Sequence, residues 1–162
     1  MSDTVVVYVT RNGHSRALAI DLGARLGAAV FEIGDLAGRK GLGGWMKAGR
    51  LAAEKAATPI RDPGVDLASV KTVVLVQPVW ASSVCPPVRS WLLAHAKELS
   101  GRRVALFASS YGTGPGPVRV AFDAEFSAGL GSLAACASVP QMSGRASRER
   151  ILDGFVSELK RR

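Results

Sequence analysis

Val5–Ser15 reads VVVYVTRNGHS, and the fold turns on this stretch. Val5 to Val9 are five consecutive strand-forming residues. They run into Thr10-Arg11-Asn12-Gly13-His14-Ser15, after which an amphipathic run from Arg16 begins a helix. A buried strand, a tight polar turn and a helix N-terminus together make an anion seat. The turn amides are expected to lack partners, and the helix dipole favours negative charge. Thr10, Asn12 and Ser15 add hydroxyl and amide groups that can donate to phosphate oxygens.

Outward from this stretch, strands alternate with helices. Leu18, Ala19, Leu22 and Leu26 mark one helix face, and Gly27 is placed to cap it. Ala29–Ile33 reads as a short apolar strand. Gly34–Asp66 is the least orderly part, loosened by glycines and closed by Pro59 and Pro63, with a helix allowed over Trp45–Ala57. Val73–Val76 is a second fully buried strand. It ends at Gln77-Pro78-Val79-Trp80, and Pro86 and Pro87 then open a helix where a missing N–H costs least. Val88, Trp91, Leu92, His95 and Leu99 give that helix its apolar face. Arg103–Ala108 is a third buried strand, followed by a Gly-rich loop, a helix on Val118, Phe122, Phe126 and Leu130, and a last strand over Leu133–Val139. Ser147 is placed to cap a final helix with Ile151, Leu152, Phe155 and Leu159 inward.

Near-continuous apolar strands with helical crossovers mean a parallel sheet covered on both faces, an α/β three-layer sandwich formed by one domain over residues 1–162. Right-handed crossovers give five strands the order 2-1-3-4-5, with a ligand at the switch point between the first and third.

The chain has 162 residues, 48% hydrophobic and 21% charged, which is a globular composition. Its net charge is +8. Between Arg39 and Arg61, six cations (Arg39, Lys40, Lys47, Arg50, Lys55, Arg61) stand against Glu54 alone, so this segment carries most of the excess. Such a bias attracts acidic partners or nucleic acid. Trp45 is the one aromatic among these cations, so a nucleic-acid reading has thin support. Cys85 and Cys136 show no paired spacing, which fits neither a zinc site nor a disulfide framework. No signal-peptide pattern opens the sequence, and the charge-free runs carry Pro, Gly, Ser or Gln. A cytoplasmic protein without a membrane span is the expectation.

Three loops leave the C-terminal ends of the first, third and fourth strands and converge in this topology. Thr10–Ser15 offers phosphate donors. Pro78-Val79-Trp80-Ala81 carries an aromatic, expected to be exposed, among small residues. Ser109-Ser110-Tyr111-Gly112-Thr113-Gly114 is Gly-rich and contains a second aromatic. A phosphate cradle beside two aromatics suits a planar ring on a phosphorylated arm, because stacking holds the ring and small residues let main-chain groups reach its polar edge. His14 is read as a phosphate contact with a water-facing ring as the alternative, and Trp80 as a stacking wall with a core position as the alternative. No acid–base dyad is assigned. Other sites on similar folds fail on residues: Tyr8–Arg11 has no acidic pair for a receiver-type magnesium site, no Gly-Lys-Ser/Thr loop exists, and Cys85 and Arg89 do not frame the first loop as a phosphatase requires.

At these residues the chain resembles the flavodoxin family. Thr10-Arg11-Asn12-Gly13-His14-Ser15 is similar to its Ser/Thr-x-Thr-Gly-Asn-Thr phosphate loop, and Pro78-Val79-Trp80-Ala81 with Pro86–Trp91 to its Gly-x-Pro-Val-Trp loop and following helix. The basic stretch Arg39–Gly49 resembles an insertion in a bacterial branch of the family. The resemblance implies non-covalently bound FMN, phosphate on Thr10–Ser15 and ring between Trp80 and Ser109–Gly114. It also implies electron transfer, or oxidoreductase chemistry of the NAD(P)H/quinone type. Asn12 and His14 stand where the family has Thr and Asn. Val76 and Gln77 replace a Gly-x pair, which puts a branched side chain where it can crowd the flavin edge. The alternative is a flavodoxin-like interaction module that holds flavin weakly or not at all and docks an acidic protein through Arg39–Arg61.

Overall fold

The computed structural model describes residues 2–37, 46 and 57–161. The helix expected over Trp45–Ala57 and nearly all of the basic segment lie outside the described residues. In chain order the elements are β1 (Thr4–Tyr8), α1 (His14–Leu26), β2 (Ala29–Glu32), β3 (Gly34–Asp35), β4 (Ile60–Arg61), β5 (Thr72–Pro78), α2 (Pro86–Ala94), α3 (Ala96–Leu99), β6 (Arg103–Ser110), α4 (Pro115–Leu130), β7 (Cys136–Pro140) and α5 (Arg145–Lys160).

Strand periodicity divides the interior into two cores. Val5, Val7 and Val9 join one cluster with Trp91, Leu92, Phe122 and Phe126 from α2 and α4. Val6 and Tyr8 join the other, with Leu18 and Leu22 of α1 and Leu152 and Phe155 of α5. Successive residues point to opposite faces of a strand, so a continuous apolar run feeds both layers. β5 is buried along its whole length, as the central strand of such a sandwich must be.

The five-stranded sheet has the order β2-β1-β5-β6-β7, with every pair parallel. Counted along the large sheet alone this is 2-1-3-4-5, the expected order. β3 and β4 form a separate antiparallel ribbon, Gly34 opposite Arg61 and Asp35 opposite Ile60, which brings together the two ends of the irregular region. Among the described residues no helix is long and apolar enough to cross a membrane.

Several boundaries move. α1 begins at His14 rather than Arg16, and Gly27 caps its end at φ +60°. The last strand starts at Cys136 rather than Leu133. Ser147 is no cap: Gly144 holds that position and α5 is already under way at Arg145. The helix opened by Pro86 and Pro87 breaks at His95, where φ is −107° and ψ 12°. Its apolar face survives the break, since Val88, Trp91, Leu92 and Leu99 are all fully buried.

His95 also ties this break to the segment after β4. Its Nε2 lies 2.6 Å from Asp62 Oδ2 and its Nδ1 2.9 Å from Glu98 Oε1. Partial burial opposes the charged ring, but the bonds to Asp62 and Glu98 prevail and hold its pKa above the ordinary 6.5. Burial would raise Asp62, yet bonds from Gly64 and His95 bring it below 3.8. The stability that His95 contributes is therefore present in full below pH 6.5 and lost as pH rises through the raised value. The Asp62 contribution is lost as pH falls through its lowered value. In urea unfolding, His95→Gln should cost most near pH 5.5, by about 1 kcal/mol or less for so accessible a pair, and least near pH 9. A gap that is equal at both pH values would remove the ion pair as the cause.

Candidate functional site

The sheet ladder continues beyond its strands and roots three loops side by side. The Val9 N–H donates to Val76 O at 3.1 Å, the Val79 N–H to Ser109 O at 2.8 Å and the Gln141 N–H to Ser110 O at 2.7 Å. At this end of β1, β5 and β6 lies a cleft of about 260 Å³ lined by Arg11, Asn12, Pro78, Val79, Trp80, Ser109, Tyr111 and Gln141. Seven of these eight are expected site residues. Gln141 was missed, because nothing in Pro140-Gln141-Met142 marks chemistry until β7 delivers it beside β6.

The first loop partly satisfies itself. The Gly13 N–H donates to Thr10 Oγ1 at 2.9 Å, and the His14 N–H to Asn12 Oδ1 at 3.4 Å. The expectation of unpartnered turn amides is thus corrected: short polar side chains fold back on their own backbone in such turns. The next amides, of Ser15 and Arg16, fall in the first turn of α1, where helix geometry supplies no intrahelical acceptor. Gly13 takes φ +92°, a conformation costly for any residue with a side chain, so the turn into α1 needs glycine there. Ser15 is buried, and His14 is exposed and lines an adjoining hollow rather than the cleft.

Trp80 is not the exposed aromatic expected. It is only 7% exposed and belongs to the core cluster on the α2 and α4 side, with one edge reaching the cleft. Tyr111 is the exposed aromatic, at 76%. The two rings differ because Trp80 is held by a turn that closes on itself, the Ser83 N–H donating to Trp80 O at 3.2 Å. Ala81 and Ser82 form that turn's corner at φ +50° and +51°. L-residues pay about 1–2 kcal/mol each in this region. Ala81→Gly should therefore raise stability by about 0.5–1 kcal/mol, allowing for glycine's greater unfolded-state entropy. A lower melting temperature for this variant would contradict the assignment of strain.

Beneath the turn lies Gln77, whose role the sequence did not reveal. It is fully buried, its Nε2 donating to Ser83 O and its Oε1 accepting from the Cys85 N–H, both at 3.0 Å. One amide thus holds both ends of the segment that follows Trp80. Val76, expected to crowd a ring, faces the other way into the core under α1 and α5, so it does not line the cleft.

In the third loop, Ser110 is buried and serves the loop itself. Its Oγ donates to Thr113 O at 3.0 Å and accepts from the Gly112 N–H at 3.3 Å, while Ser138 Oγ donates to Thr113 O at 2.7 Å. Ser110, Gly112, Thr113 and Gly114 shape the loop that carries Tyr111, and they do not line the cleft. Thr10, Gly13, Ser15 and the exposed Ala81 likewise stand outside its lining. Both cysteines are buried and unbridged, and burial pushes the Cys136 thiol up to about 11, too high for a reactive thiolate.

The architecture has counterparts among solved structures. A candidate flavoprotein from Bacteroides eggerthii superposes with a TM-score of 0.72 at 16% identity, covering 94% of this chain and 97% of its own. A flavoprotein from Lactobacillus acidophilus, solved in complex with FMN, gives 0.69 at 17% identity over 86% and 91%. A WrbA-like flavodoxin from Agrobacterium tumefaciens gives 0.58 at 13% identity over 98% and 99%. The chain has a flavodoxin-like fold. No family model matches the sequence, and no curated protein does. At these identities the flavodoxin-like likeness is one of fold. The cleft of this flavodoxin-like chain lies where the strand order reverses, between β1 and β5, the position at which open α/β sheets take their ligands.

Proposed function

We propose that the protein binds FMN in this cleft and works as a redox protein, either as an electron carrier or as an oxidoreductase of the NAD(P)H/quinone type. The observation that carries the reading is convergence: Arg11 and Asn12, Pro78 to Trp80, and Ser109 with Tyr111 line one hollow at the switch point. The FMN-bound neighbour of like fold supports the same ligand.

The residues fit the group. Thr10–Ser15 receive the phosphate, with the Ser15 and Arg16 amides and the α1 dipole favouring its charge. Pro78, Val79 and the Trp80 edge form one wall for the ring, and Tyr111 covers it from solvent. Bound FMN supplies electron transfer, and the protein contributes binding, orientation and a partly dry cleft.

FMN titration followed by quenching of flavin fluorescence tests this directly. Tyr111→Ala is the informative variant, because Tyr111 is exposed whereas removing Trp80 would also open the core. Loss of one stacking partner should weaken binding roughly three- to tenfold. If the protein failed to quench FMN at all, the better reading would be an interaction module docking an acidic protein through Arg39–Arg61. The self-satisfied turn at Thr10–His14 is the observation that favours that second reading.

A further inference from the structure

Beside the cleft, on the sheet face that carries α1 and α5, lies a second hollow of about 120 Å³. His14, Ser109, Gln141, Ser143 and Arg148 line it, and Ser109 and Gln141 line the larger cleft as well, so the two hollows abut. Ser109 is 1% exposed, and its Oγ has no hydrogen-bond partner. Buried hydroxyls are nearly always partnered, so an orphan in the wall of a hollow marks a place for a ligand. Arg148 Nε is also buried without a partner, while Arg148 Nη2 lies 3.3 Å from Asp21 Oδ2. Asp21 is shared, since Arg25 Nε sits 2.8 Å from its Oδ1.

The polar groups of the lining suit an anion. A guanidinium, an imidazole, a side-chain amide and two hydroxyls come from four separate segments of the chain, so donors approach from several directions. The first turns of α1 and α5 both reach the hollow, through His14 and Ala17 and through Arg148, and bring two helix N-termini to its rim. Ala17, Leu18, Val139 and Pro140 complete the lining, and donors from several directions suit a tetrahedral phosphate better than a planar carboxylate. The space holds one such group and little more.

We propose that this hollow is a second phosphate subsite, which adjoins the seat at Thr10–Ser15 and shares His14 with it. It takes the phosphate of a small phosphorylated second ligand whose remainder extends past Ser109 and Gln141 into the larger cleft. The identity of that cleft as a flavin site rests on the proposed function, but the phosphate subsite does not.

The chain has two histidines, so its imidazole NMR spectrum is simple, and His95 on the far helix serves as an internal control. Inorganic phosphate is titrated into the full chain with and without saturating FMN. Expected is a saturable shift of the His14 ring signals in both titrations, with His95 unmoved. Arg148→Gln and Ser109→Ala should each weaken phosphate binding about tenfold, and acetate should bind more weakly than phosphate. FMN affinity, measured in parallel, should stay within twofold in Arg148→Gln. The proposal falls if phosphate causes no saturable shift, if Arg148→Gln leaves it unchanged, or if acetate binds as tightly. It also falls if Arg148→Gln weakens FMN and phosphate together, for the hollow would then be the flavin's own phosphate seat. Failure of the FMN reading shows separately, as absent quenching, and the comparison with Arg148→Gln in the titration without FMN still decides the subsite.

Discussion

Glu125→Ala should lower stability by about 3–5 kcal/mol, the largest loss foreseen for any single substitution in this chain. Arg89 is 1% exposed, in the middle of α2. Its Nε lies 2.5 Å from Glu125 Oε1 and its Nη2 3.1 Å from Oε2, a two-pronged pair across to α4, and Nη2 also reaches Ser83 Oγ at 3.3 Å. Removing the carboxylate takes the two-pronged partner from a guanidinium that water cannot reach. Removing both charges does not, so Arg89→Met with Glu125→Met should recover most of the loss. Urea unfolding of Arg89→Met, Glu125→Met and the double variant measures this as a cycle. If the double variant were as unstable as Glu125→Ala, packing rather than loss of the ion pair would be responsible. The pair also matters for the cleft, because Ser83 ends the turn that begins at Trp80.

Gln77→Leu keeps the side-chain volume and removes both amide bonds. It should cost about 2–4 kcal/mol, since the Ser83 carbonyl and the Cys85 N–H both lose the buried amide that bonds them. Gln77→Glu should also destabilise, because a carboxylate accepts from the Cys85 N–H but cannot donate to Ser83 O. The loss should reach the site too. With the segment from Trp80 to Cys85 untethered, FMN affinity should fall even at temperatures where the variant remains folded. Unfolding curves and FMN titrations of one preparation test both halves. A Gln77→Leu protein with full stability would mean that these backbone groups find other partners.

The strand and helix pattern was legible because each apolar run is longer than any competing signal. Val5–Val9 had to be strand and had to be covered on both faces, and it is. The convergence of three loops was legible for the same reason, since topology follows from alternating elements and one rule of handedness. Residues that act through partners distant in sequence were not legible. Arg89 entered only as a residue that does not frame the first loop, and Gln77 as a departure from a motif. The burial of Trp80 was misread because a Trp after Pro in a loop carries no sign of which way the turn closes. The turn's direction is set at Ser83 and Gln77 rather than within Pro78–Trp80.

By itself the sequence determined a doubly covered parallel sheet, its strand order and a polar turn leading into a helix after β1, because hydrophobic period and local turn chemistry depend on neighbours in the chain. Only the tertiary structure decided which polar groups were already taken. It closed Thr10 and Asn12 onto their own turn, drew Gln77 and Arg89 beneath the second loop, and left Ser109 unpartnered between two hollows. The physical reason is that a hydrogen bond is a contest among all donors and acceptors within about 3 Å, and the order of residues along the chain does not say who those neighbours are.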